Sequence, residues 1–140
     1  MNKTMKTVPE HDALIYAMVT LSAADRTMTD RELKKIGDIV QTLPVFADFD
    51  RERLVVAAEE CGVILQADDG LDRVLDIVAT SLAPRLHETA YALAVEVAAA
   101  DLYVEQEELR FLQMLRDRLE IDELVVAAVE RSARVRYRVL

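Results

Sequence analysis

The stretch Thr29-Asp30-Arg31-Glu32-Leu33-Lys34-Lys35-Ile36-Gly37-Asp38-Ile39-Val40-Gln41-Thr42-Leu43 carries the fold class in its spacing. Leu33, Ile36, Ile39, Val40 and Leu43 recur in the three-and-four rhythm of one helical face, with charged residues opposite. Its start is marked too, because Thr29-x-x-Glu32 is a capping box in which side chain and backbone satisfy each other's first-turn groups. The same rhythm, followed outward, predicts helices over 10–24, 51–67, 71–82, 86–100, 105–118 and 123–137 in addition to 30–42. Asp48 or Asp50 can cap the third of these, Asp69-Gly70 separates the third from the fourth, and Pro84 separates the fourth from the fifth. The expectation is an all-α bundle of seven helices, each burying one apolar stripe.

Composition agrees with that reading. The 140 residues are 52% hydrophobic and 31% charged, which excludes a disordered chain, and their number suits one domain over 1–140. Three Gly and three Pro are too few for the tight turns of a sandwich or barrel. The formal charge of −9 repels polyanions, so nucleic acid is not an expected partner. No apolar run reaches membrane-spanning length and Met1 to Pro9 holds no signal-type segment, so a soluble, cytoplasmic chain is expected. The one cysteine, Cys61, shares a stripe with Leu54, Ala57, Ala58, Ile64 and Leu65 and reads as a small buried hydrophobe.

Compared with itself, the chain matches at an offset of 76 residues. His11 pairs with His87, Asp12 with Glu88, Val19 with Val95, Ala23-Ala24-Asp25 with Ala99-Ala100-Asp101, Glu32-Leu33 with Glu108-Leu109, and Leu43 with Leu119. Leu54-Val55-Val56-Ala57-Ala58 then recurs letter for letter as Leu124-Val125-Val126-Ala127-Ala128, the second copy lacking six residues at the Phe46 to Arg51 loop. This predicts an internal duplication, with halves over about 10–67 and 86–137, and pseudo-two-fold symmetry.

Each half carries an acid pair at a helix junction, Asp25 with Glu32 and Asp101 with Glu108. On one unbroken helix their seven-residue spacing would span about 10.5 Å, too far to share an ion. A turn at Arg26–Met28 or Leu102–Val104 folds them together. Carboxylates grouped around a turn suit hard, oxygen-seeking cations such as Ca²⁺, Mg²⁺ or Mn²⁺. Capping competes with that role, since Glu32 can serve Thr29 and Asp25 can close a local turn without metal. In the second half Glu105 replaces Thr29, and the acids are what the two copies share.

The segments over 23–33 and 99–109, Ala-Ala-Asp-Arg-Thr-Met-Thr-Asp-Arg-Glu-Leu and Ala-Ala-Asp-Leu-Tyr-Val-Glu-Gln-Glu-Glu-Leu, resemble the signature of the TerB-like family associated with tellurite resistance. That signature is an Ala-Asp-Gly turn followed by an acid-rich helix start, present twice; Arg26 and Leu102 stand here where the family has glycine. The resemblance implies an all-helical bundle, no catalytic activity, a metal site at Asp25, Glu32, Asp101 and Glu108, and a role in tellurite or stress response. It also implies an interaction module, since a related domain is fused to a membrane-anchored J-domain co-chaperone.

Other residues complete the expectations. If the first and fifth helices run antiparallel, His11 approaches Asp101 and His87 approaches Asp25, which would favour Zn²⁺ or Mn²⁺; otherwise both are helix-start histidines in solvent. Asp68-Asp69-Gly70-Leu71-Asp72 lacks the ligand alternation of a calcium loop and reads as helix termination and recapping. Arg131, Arg134, Arg136 and Arg138 complement the dipole of the last helix or meet an acidic protein, another protomer as in a homodimer, or an anionic membrane surface. Ser22, Ser81, Ser132 and Cys61 have no histidine nearby in sequence, and neither a phosphate-cradling glycine loop nor zinc spacing occurs, so a non-enzymatic protein is expected.

Overall fold

The computed structural model describes residues 7–24, 28–101 and 104–140. Seven α-helices follow in order: α1 (Glu10–Ser22), α2 (Asp30–Thr42), α3 (Arg53–Leu65), α4 (Gly70–Ser81), α5 (His87–Ala100), α6 (Gln106–Arg118) and α7 (Glu123–Arg136). The described residues hold no strand, so the chain is an all-α bundle. Short 3-10 turns over Pro44–Phe46 and Pro84–Leu86 lead out of α2 and into α5. Each carries proline at its first position, where a missing N–H costs nothing.

The centre of the bundle is α1. From Asp12 to Ser22 every residue is buried, because Ala-Leu-Ile-Tyr-Ala-Met-Val is apolar around the whole helix and only full enclosure hides such a surface. The expectation of one stripe per helix with charges opposite therefore holds for α2, whose buried residues are Ile36 and Val40, and fails for α1. Helices α3, α4 and α5 surround α1, and α7 and α6 pack on α5.

Two hydrogen bonds fix how α1 runs against α5. The Val8 N–H donates to Ser81 Oγ at 3.0 Å, and the Ala83 N–H donates to Glu10 Oε2 at 2.8 Å. The start of α1 is thereby tied to the segment that leads into α5, so both central helices begin at the same end of the bundle and run side by side in the same sense.

The pentapeptide repeat does not pack as a repeat. On α3, Ala57 and Ala58 are buried while Val55 and Val56 face outward; on α7, Val126 is buried while Leu124, Ala127 and Ala128 face outward. The same five letters are turned to opposite sides, because the flanking residues decide each helix's seat. Cys61 and Ile64 continue the buried face of α3, whereas the positions 70 residues on are Arg131 and Arg134, both exposed.

Cys61 is enclosed as expected, its Sγ 3.4 Å from Thr20 Oγ1. Burial pushes its thiol up to about 11 from an ordinary value near 9, and burial likewise pushes the Tyr16 phenol up to about 12. Both groups hold their protons in the folded state at a pH where the unfolded chain releases them, so stability falls as pH rises. The urea midpoint is expected to decline steadily between about pH 9 and about pH 12, and a flat profile over that window would contradict the burial of these groups.

Gly70 opens α4 against the end of α3. A Cβ there would lie 2.4 Å from the Ile64 carbonyl oxygen and 2.7 Å from Leu65 Cα, and backbone atoms cannot swing aside as a side chain can. Gly70→Ala is expected to lower unfolding stability by about 1–3 kcal/mol through this overlap, measured by urea unfolding, although alanine is the better helix former.

Candidate functional site

The parallel course of α1 and α5 puts both helix junctions at one end of the bundle. Asp25, with Arg26, Thr27, Leu102 and Tyr103, lies outside the described residues; Glu32, Asp101 and Glu108 lie within them. The residues just before Asp25 approach the start of α6. Thr20, Ala23 and Ala24 line one side of a cleft of about 310 Å³ whose other side includes Glu107, Arg110 and Phe111. In the other direction, Lys35 Nζ on α2 donates to Asp101 Oδ1 at 3.1 Å. Glu32 and Lys35 are three residues apart and so neighbours on one helix surface, which turns the Glu32 side of α2 toward the end of α5.

Locally, the glutamates also cap. Glu32 Oε1 accepts from the Thr29 N–H at 2.8 Å and lies 3.2 Å from Thr29 Oγ1, while the Glu32 N–H donates to that hydroxyl at 3.2 Å. In the second half the box survives the loss of the hydroxyl. Glu108 Oε1 accepts from the Glu105 N–H at 3.1 Å, and the Glu105 carboxylate turns to the Glu108 backbone. Glu108 is 4% exposed, a depth at which carboxylates are kept only with partners. At the end of α1, Ser22 Oγ is buried with no hydrogen-bond partner among the described residues.

The donors at this end are therefore oxygens, carboxylates with one buried hydroxyl, which is the chemistry of hard cations. Among the described residues no three His, Cys, Asp or Glu side chains form a metal-holding group. Lys35 supplies the positive charge that Asp101 meets.

The histidines sit elsewhere. His11 Nε2 donates to the Val45 carbonyl at 2.8 Å, and its ring stacks on Phe46 and meets Phe49 edge-on. Its loop follows the far end of α2 from Lys35, and the second half lacks that loop. His87 Nε2 donates to the Ala79 carbonyl at 3.3 Å. Both are partly buried at the opening ends of their helices, and the antiparallel packing that would have carried them to the aspartates is not the packing present.

Three polar arrangements escape the sequence reading. Asp12, 3% exposed, accepts from Arg53 Nη2 at 2.6 Å. Glu96 receives Arg136 through both oxygens, at 2.6 and 3.2 Å, and the Tyr137 hydroxyl donates to it as well; the Arg136 hydrogen bonds hold its carboxyl below the usual glutamate range. In the third, Tyr91 donates to Glu130 at 2.5 Å, at the side of an apolar cleft of about 410 Å³ between α5, α6 and α7. Burial, then Glu130, pushes that phenol far above its ordinary value. Partner choice in all three depends on residues about 40 positions apart, a separation that no local pattern reports.

Compared with models of known protein families, with curated proteins and with solved structures, the chain finds no match. Among the described residues no helix is long and apolar enough to cross a membrane.

Removing the guanidinium from Asp12 tests the largest of the unexpected contacts. Arg53→Met is expected to destabilise the fold by roughly 3 kcal/mol, the low end for an orphaned buried charge because Arg53 itself reaches solvent. Asp12→Asn in the same background should recover part of that loss in urea unfolding; equal stability of Arg53→Met and the parent would mean that Asp12 has another partner.

Proposed function

We propose that the protein is a non-enzymatic, TerB-like interaction module of tellurite or stress response that binds a divalent cation through Asp25, Glu32, Asp101 and Glu108. The observation that carries this reading is the parallel packing of α1 and α5, anchored by Val8 on Ser81 and Glu10 on Ala83, which sets the last residues of both helices at one end of the bundle. The burial of Glu108 and the Ser22 hydroxyl, without a hydrogen-bond partner among the described residues, add support.

In this reading the chain's residues act by charge. Carboxylates grouped at one end repel one another, and a bound cation relieves that repulsion. Glu32 and Glu108, which already hold the first turns of α2 and α6, couple the cation to the angle at which those helices leave the junction. Lys35 does part of this work without metal and would yield Asp101 to a cation. The partner is another protein, met through the junction helices or the arginine-rich α7. Direct contact with a tellurium oxyanion is disfavoured by the net charge of −9 everywhere but at that arginine-rich end.

A second reading has its own observation. The capping bonds of Glu32 and Glu108 and the Lys35–Asp101 pair satisfy acids without any ion, which fits a metal-independent adaptor. Titration of chelator-stripped protein with Ca²⁺, Mg²⁺, Mn²⁺ and Zn²⁺, by calorimetry and by melting, separates the two. Saturable binding is expected, with stability rising by about 2.7 kcal/mol at a hundredfold excess over Kd, lost in Asp25→Asn with Asp101→Asn. Binding should tighten in Lys35→Met. No binding of any of the four ions leaves the adaptor.

A further inference from the structure

We infer that the outer face of α3 in one copy docks on the outer face of α7 in a second copy. On α3, Val55, Val56, Glu59, Glu60 and Val63 share one exposed face, Val63 being 68% exposed. On α7, Leu124, Ala127, Ala128, Arg131, Arg134 and Val135 do the same, Leu124 being 80% exposed. Each face is an exposed helical stripe with apolar side chains along it. The α3 stripe carries the carboxylates Glu59 and Glu60, and the α7 stripe carries the guanidiniums Arg131 and Arg134, with exposed Glu123 in the first turn of α7. Among the described residues none of Glu59, Glu60, Arg131 and Arg134 enters an ion pair, so the charges are unspent.

The two faces match as a pair, and neither matches itself. Two α3 faces would set carboxylates against carboxylates and two α7 faces guanidiniums against guanidiniums, and like charges brought together disfavour both pairings. Both faces are also rigidly presented. Ala57, Ala58, Cys61 and Ile64 bury the back of α3, while the Arg136 and Tyr137 contacts to Glu96 clamp the end of α7 to α5. A second copy is favoured over an anionic membrane because α7 offers small alanines at the middle of its stripe, no aromatic side chain, and a complement that every copy carries. Where both contacts can be made at once the result is a closed dimer; otherwise copies add head to tail.

The inference does not depend on the cation site, so the test is run in chelator. Sedimentation of the wild-type chain over a wide concentration range, in about 0.15 M salt to screen the net charge over about 8 Å, should give a mass that climbs above the 15.8 kDa monomer. Glu59→Arg with Glu60→Arg, and separately Arg131→Glu with Arg134→Glu, should each weaken association on the order of a hundredfold. Mixing the two reversed variants should restore it, which only folded copies can do. Val63→Ser with Leu124→Ser, neutral changes at exposed positions, should weaken it as well. A wild-type chain that stays monomeric throughout, reversals that associate as the parent does, or a mixture that fails to associate each overturns the inference. So does a monomer whose binding to phosphatidylserine vesicles is lost in Arg131→Glu with Arg134→Glu, since the α7 face would then be a lipid surface.

Discussion

Enclosing α1 is the constraint from which the rest of the arrangement follows. A helix with buried residues on every side from Ala13 to Leu21 cannot sit at a surface, so the chain has to wrap it, and α3, α4 and α5 do so. Wrapping brings polar costs at both ends of the enclosed helix. At its start Glu10 and Ser81 take up backbone N–H groups of the neighbouring segments, and inside the first turn Arg53 reaches in to meet Asp12. The side-by-side course of α1 and α5 results from those few bonds.

The charges divide into those that hold helices and those left over. Arg53 on Asp12, Arg118 on Asp72 and Asp76, and Arg136 on Glu96 each cross between elements distant in sequence, and they anchor α3 to α1, α6 to α4 and α7 to α5. The pairs that include Arg118 are largely exposed and add little; the Asp12 pair lies deep enough for orientation and desolvation to matter. Acids outnumber bases 26 to 17, so carboxylates remain once these anchors are filled; at the end of the bundle Asp101 meets Lys35, and Glu32 and Glu108 cap α2 and α6.

Helix positions were legible because their signals are local. The capping box at Thr29, Gly70 and the apolar rhythm mark α2 and α4 within a residue or so of their observed bounds. The third helix begins at Arg53 rather than two residues earlier because Asp50 first accepts the Glu52 N–H and forms a turn. Nearly full enclosure of α1 was visible in its composition but was obscured by expecting a polar face on every helix. The acids were legible by type and spacing, whereas the direction of α5 against α1 was not, since it is set by Glu10 and Ala83, 73 residues apart. His11 follows the same logic: its environment comes from Phe46 and Phe49 in a loop that its counterpart His87 has no equivalent of.

The opposite facing of the two Leu-Val-Val-Ala-Ala segments has a consequence for how the chain finds its fold. A polypeptide with two identical helical segments runs the risk that one settles in the other's seat while the core is still forming. Here the residues that follow prevent the exchange. Were α7 placed where α3 belongs, with the five letters in register, Arg131 would fall at the position of Cys61 and Arg134 at that of Ile64, two cations in place of buried apolar side chains, and Glu123 would replace the Arg53 that meets buried Asp12. The shared letters make the segments interchangeable on paper, and the two arginines one and two turns later act as a proofreading mark that rejects the wrong one.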